Sequence, residues 1–287
     1  MRGEFVDLGG VRVYCYAFGS RGAGAPIVLV HGAFTSSHVW QDVLPRLPIG
    51  HRVLVLDLLG HGRSDPPGSN AMTVAAHAER LGKLLDVMGV GRATLVGHGM
   101  GAAICARVAS ERTATVCGLV LVNPSLLASD ARDARVSARL RRLAALVPLW
   151  SRLAPSWLAS TLHSALLPAF AQRSTGTFAL DLYLKSFRTR DGRDAACAQL
   201  RALAISTGDA GIALRPDALP FPVALVLGDA DVFMPSGRAL RLEQSLKRAT
   251  SDAVVVHHIP AAAHMTPEEA PDRLGTIVGE LVLECSV

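Results

Sequence analysis

Lysine is scarce in this chain. Lys83, Lys185 and Lys247 are the only ones, although the formal net charge is +5. The positive balance comes from arginine scattered among abundant alanine, and no Lys/Arg run interleaved with aromatics marks a phosphate-tracking surface. Nucleic acid is therefore not an expected partner. Aromatics are few too, 5% of 287 residues, which leaves leucine, valine and alanine to build the core. The cysteines Cys15, Cys105, Cys117, Cys197 and Cys285 form no C-x-x-C pair and stand near no histidines at metal-ligand spacing. They read as buried thiols of a reducing compartment, so no disulfide framework and no metal site are expected. No charge-free apolar run approaches the ~20 residues of a transmembrane helix. No basic segment followed by an apolar stretch precedes "EFVDLGGVRVYCYAFG", so no signal peptide is read and a cytoplasmic location is the expectation.

What is present is a rhythm. The opening stretch predicts a hairpin turning at Gly9-Gly10. "PIVLV" (26–30), "RVLVLD" (52–57), "ATLVG" (93–97) and "CGLVLVN" (117–123) are near-continuous apolar runs, as strands buried on both faces require. Between them "VAAHAERLGKLLDVM" (74–88) and residues 99–110 have helical character. This order predicts an α/β protein with a mostly parallel central sheet and helices on both faces. The rhythm breaks between about Leu126 and Pro216, where "ARDARVSARLRRLAALVPLW", "APSWLASTLHSALLPAF" and "TGTFALDLYLKSF" are helical patterns without a convincing strand. Strands return at 222–228 and 253–259, and a last helix covers 271–284. The expected organisation is a core, 1–125 and 217–287, interrupted by a helical cap at 126–216. A leucine- and aromatic-rich cap suits a small apolar or aromatic substrate; binding of the basic helix to a membrane surface is the weaker reading.

Five motifs fall at the C-terminal ends of these strands: His31-Gly32-Ala33, "DLLGHGRSD" (57–65), "ATLVGHGMGA" (93–102), "LGDADVFMP" (227–235) and "IPAAAHMTPEEAPDRL" (259–274). Each alone is ordinary. Together and in this order they resemble the α/β-hydrolase superfamily, over nearly the whole chain outside the insertion. The resemblance implies an α/β-hydrolase fold with no metal or organic cofactor. It implies that Ala33 and Met100 supply the backbone N–H groups of an oxyanion hole, and that His264 is the general base oriented by a carboxylate. Spacing favours Asp231 for that carboxylate, with Asp229 as the alternative. In the 57–65 loop, His61 and Ser64 are read as architecture. Ala263 stands where glycine is common before the histidine.

The third motif departs from the family pattern. Gly-x-Ser-x-Gly carries the nucleophile, and here the middle residue is Gly99. Glycine cannot attack a carbonyl, so a covalent intermediate through residue 99 is excluded, as is the aspartate-nucleophile chemistry of epoxide hydrolases and haloalkane dehalogenases. Glycine does suit a turn whose strain costs a side chain about 1–3 kcal/mol. Three readings stay open: an enzyme using His264 and Asp231 without a serine, a serine hydrolase whose nucleophile has been changed, and a small-ligand-binding protein on the same fold. Ser36, Ser37, Ser125 and Cys105 are not expected to substitute for the nucleophile.

Overall fold

The computed structural model describes residues 3–19, 24–124, 155–209, 219–250 and 254–285. The N-terminal strands β1 (Gly3–Asp7) and β2 (Arg12–Phe18) pair antiparallel. Asp7 Oδ1 accepts from the Gly9 N–H at 2.8 Å, and both turn glycines have positive φ. The chain then builds β3 (Ile27–Val30), β4 (Val53–Leu56), helix α1 (Val74–Val87), β5 (Ala93–His98), helix α2 (Met100–Glu111) and β6 (Val116–Val122). Three further helices follow: α3 (Pro155–Leu166), α4 (Arg173–Leu184) and α5 (Arg190–Asp209). The core resumes with β7 (Val223–Gly228), α6 (Ser236–Ala249), β8 (Val254–Ile259), a single helical turn (Thr266–Glu269) and α7 (Pro271–Glu284).

The eight strands form one sheet in the order β1-β2-β4-β3-β5-β6-β7-β8. β2 runs antiparallel to β4, and every pair from β4 through β8 is parallel. Successive side chains of a strand face opposite sides, and the core divides accordingly. Val28 and Val30 join Leu95, Leu119 and Leu225 beneath α1 and α2, whereas Ile27 and Leu29 join Val96, Val120 and Val226 on the face covered by α7 and Trp40. Leu158, Leu180 and Phe187, from the helical segment between β6 and β7, extend that second cluster.

The strands and most helices coincide with the sequence reading to within a residue or two. Helix α6 was not anticipated. The amphipathic stretch 131–150 and Ser125 lie outside the described residues, as do both expected boundaries of the insertion. Among the described residues no helix is long and apolar enough to cross a membrane.

Candidate active site

The turn between β5 and α2 depends on missing side chains. A Cβ at Gly97 would lie 2.4 Å from the Gly101 carbonyl oxygen and 2.5 Å from Ala102 Cα, and one at Gly101 would lie 2.2 Å from the Val30 carbonyl oxygen. Only glycine lets α2 start directly against β5 and β3. Between them Gly99 adopts φ 55° and ψ −113°, a conformation that L side chains rarely hold, and its N–H donates to the Val122 carbonyl at 2.9 Å. A Cβ built there would point at His264, 3.1 Å from Nε2.

His264 leaves β8 on a loop that reaches back over the sheet. Its Nδ1 lies 2.8 Å from Asp231 Oδ2, with the carboxylate fully buried and the imidazole 14% exposed. The other oxygen of Asp231 accepts from the Phe233 N–H at 2.8 Å, and the Phe233 ring stands edge-on to the imidazole at 5.2 Å. Asp229 is elsewhere, paired with exposed His258 at 2.9 Å. Thus the structure brings Gly99, His264 and Asp231 together and leaves Asp229 out.

Ala33 follows β3 in a turn that Phe34 completes at φ 58°. Among the described residues neither the Ala33 nor the Met100 N–H has an acceptor. Met100 opens α2, so its N–H adds the positive end of the helix dipole. The adjacent Phe34 N–H donates to Gln199 Oε1 of α5 at 3.1 Å, and Gln199 Nε2 donates to the Gly60 carbonyl at 3.1 Å. An inserted helix therefore pins two core loops at once.

Asp57 organises the 57–65 loop, accepting from the Ser37 N–H at 2.7 Å and the Arg63 N–H at 2.9 Å. Ser64 Oγ accepts from the Tyr14 N–H and donates to the Asp57 carbonyl, and His61 Nδ1 lies 3.0 Å from the Leu59 carbonyl. Both are engaged in holding the loop. Ser36 caps a helical turn through its hydroxyl, and Cys105 is wholly buried in the core, so neither faces Gly99.

Several contributors were not read from the sequence. Asn123, at φ 45° after β6, donates through Nδ2 to the carbonyls of Ala263 and His264 and to Thr266 Oγ1, and accepts from the Gly228 N–H, all at 2.8–2.9 Å. His98 Nε2 lies 2.9 Å from the same His264 carbonyl, and burial pushes this imidazole down to about 3. Its Nε2 is therefore the donor and the ring is neutral. Glu269 accepts from the Ala263 N–H and from the Ala171 N–H, joining the histidine loop to the inserted helices. A cavity of about 730 Å³ lies beyond Phe34, lined among others by Thr35, His61, Tyr183, Phe187 and Gln199, and does not take in Gly99 or His264. Among the described residues no group of three or more His, Cys, Asp or Glu could hold a metal ion.

Comparison with known proteins bears on the fold. An uncharacterized protein of Mycobacterium tuberculosis is 36% identical over 120 residues, 42% of this chain and only 35% of the relative's length. Haloalkane dehalogenase 2 of the same organism is 28% identical over 90% of this chain and 88% of its own. The crystal structure of an α/β hydrolase fold protein from Burkholderia ambifaria superposes with a TM-score of 0.73 at 27% identity, covering 97% of this chain and 100% of that one. The family model described as alpha/beta hydrolase fold matches residues 25–271, a span that runs from β3 through the inserted helices to the loop carrying His264, and the chain belongs to that family.

Proposed function

We propose that the chain is a hydrolase-like enzyme acting on a small, apolar carbonyl or ester-type substrate, with His264 and Asp231 as its acid–base pair and no covalent step at residue 99. The observation that carries this reading is the direction of His264 Nε2, which faces the place where a side chain at 99 would stand, while Nδ1 is held by Asp231. With Nδ1 donating to the carboxylate, Nε2 is the free base. A water at hydrogen-bond distance from it would meet a substrate carbonyl where a seryl oxygen would otherwise attack. As the substrate carbonyl oxygen gains charge, the Ala33 and Met100 N–H groups are the donors that accommodate it. Asp231 then stabilises the imidazolium, which returns its proton to the leaving group. Phe34, Leu182 and Phe187, which line the neighbouring cavity, support an apolar substrate, and the last two come from the segment between β6 and β7 read as the cap. The dehalogenation named for the mycobacterial relative has no carboxylate at position 99 to proceed through.

The experiment compares the chain as it stands with His264→Ala and Gly99→Ser, on short activated esters and with a fluorophosphonate label. The expected outcome is turnover without labelling by the Gly99 protein, falling by about 10²–10⁴-fold in His264→Ala. Turnover and labelling confined to Gly99→Ser would overturn it in favour of a serine hydrolase lacking its nucleophile. Saturable binding of a pocket ligand, with no turnover by any of the three, would favour a binding protein.

A further inference from the structure

The cysteines look scattered in sequence, but Cys117 and Cys285 meet at the N-terminal end of β6. The pairing of β5 with β6 passes from Ala93 opposite Val116 to Thr94 opposite Gly118, leaving Cys117 as the extra residue of a bulge. In a regular strand Cys117 and Gly118 would face opposite sides of the sheet. A bulge re-aims the side chain it carries, and here Cys117 Sγ lies 3.7 Å from Thr94 Oγ1. Cys285, the residue that caps the end of α7, places its own Sγ 3.7 Å from the same hydroxyl and 2.9 Å from the Cys117 carbonyl. Gly118 makes the room, since a Cβ there would lie 2.5 Å from Cys285 Sγ. Two thiols 168 positions apart thus flank one hydroxyl, and the Cys285 thiol donates to the Cys117 backbone carbonyl.

We propose that Cys117 and Cys285 form a redox-active pair that hydrogen peroxide closes into a disulfide, fastening the last helix to the sheet. Cys285 is half-buried at the surface and gives peroxide its way in, whereas Cys117 lies beneath it. The proximity of Cys285 and Thr94 draws the Cys117 thiol below its ordinary range and pushes Cys285 above its own, so Cys117 is the member of the pair that becomes the thiolate. That thiolate attacks a peroxide oxygen, breaks the O–O bond and becomes a sulfenic acid as hydroxide leaves. Cys285 loses its proton, and its sulfur attacks the Cys117 sulfur. The S–S bond forms, the S–O bond breaks, and the proton and hydroxide depart as water. Two thiols and one peroxide give one disulfide and two waters. Cys15 and Cys105 have no such neighbour; burial raises both thiols, to about 12 for Cys15 and higher still for Cys105, which leaves them unreactive. The linkage sits at the end of the strands opposite Gly99, so it acts on stability without touching His264.

The test treats the full chain with stoichiometric peroxide, counts thiols after denaturation, and maps the digest without reduction. The expected result is a fall from five thiols to three, a single peptide joining Cys117 to Cys285, and a Tm rise of about 5 °C that dithiothreitol reverses. Cys117→Ser and Cys285→Ser should each keep four thiols at the same dose. Loss of thiols without the 117–285 peptide, or that peptide appearing only when peroxide is added to unfolded chain, would overturn the proposal.

Discussion

At the scale of single residues, buried imidazoles are costly positions in this fold. Among the described residues both ring nitrogens of His77 are buried without a hydrogen-bond partner, and so are Nε2 of His61, Nδ1 of His98 and Nε1 of Trp40. His77 projects from α1 among Leu8, Val13, Leu56, Leu58 and Leu84, with Arg80 and the His61 ring as its polar neighbours and a hydrogen bond to neither. An unsatisfied buried donor costs about 1–3 kcal/mol, more than the packing difference between imidazole and an aliphatic chain of similar size. His77→Leu should therefore stabilise the protein by about 1 kcal/mol, read as a higher urea midpoint at an unchanged m-value. A lower midpoint would mean that the ring has a polar role. The sequence carries no sign of this, because "VAAHAERL" places His77 on a helix but does not say which face the helix buries.

At the scale of elements, the core of the site lies in loops tied to one another by Asn123. Its amide holds the His264 loop by three hydrogen bonds and β7 by one. Asn123→Ala should lower stability by about 2–4 kcal/mol, since it leaves buried backbone groups unpaired. If Asn123 positions His264, the same variant should lower kcat more than it raises KM. An equal loss in both, or none, would confine it to structure. The positions of the strands, the elbow at 97–101 and the loops bearing Asp231 and His264 were legible because each is a local pattern of apolar runs, glycines and spacing. Asn123 was not, because its partners lie 105 to 143 positions away. Gln199 and the Cys117 bulge escaped notice for the same reason: their roles arise only when distant segments meet. Helix α6 was missed because it is strongly polar, with only Leu242, Leu246 and Ala249 buried.

At the scale of the whole molecule, buried titratable groups set how stability responds to acid. Burial lowers His31 to about 4, His61 and His98 to about 3, and His77 well below its ordinary range. All four are neutral when folded, while the unfolded chain takes up a proton on each below about pH 6.5. Stability from these groups is intact above that pH and falls on acidification, by about 1.4 kcal/mol per pH unit for each histidine until its folded value is reached. Glu268 works in the opposite sense. Burial raises it to about 7 beside the Tyr183 hydroxyl, so its contribution is fully present below pH 4.5 and is lost as pH rises through 7. One carboxyl opposes four imidazoles, and the imidazoles win. Thermal melts should show Tm dropping steeply between pH 6.5 and 5, and Glu268→Gln should steepen that drop. A flat profile across the window would contradict the burial of these rings.

The glycine at 99 has a consequence for where specificity resides. On the proposed reading, the group that attacks is no longer part of the chain; it comes from solution to a place defined by His264 Nε2 on one side and two N–H groups on the other. Any small hydroxylic molecule that fits there competes with water on equal terms. The polypeptide then fixes the electrophile and the geometry, and the composition of the medium selects the acceptor.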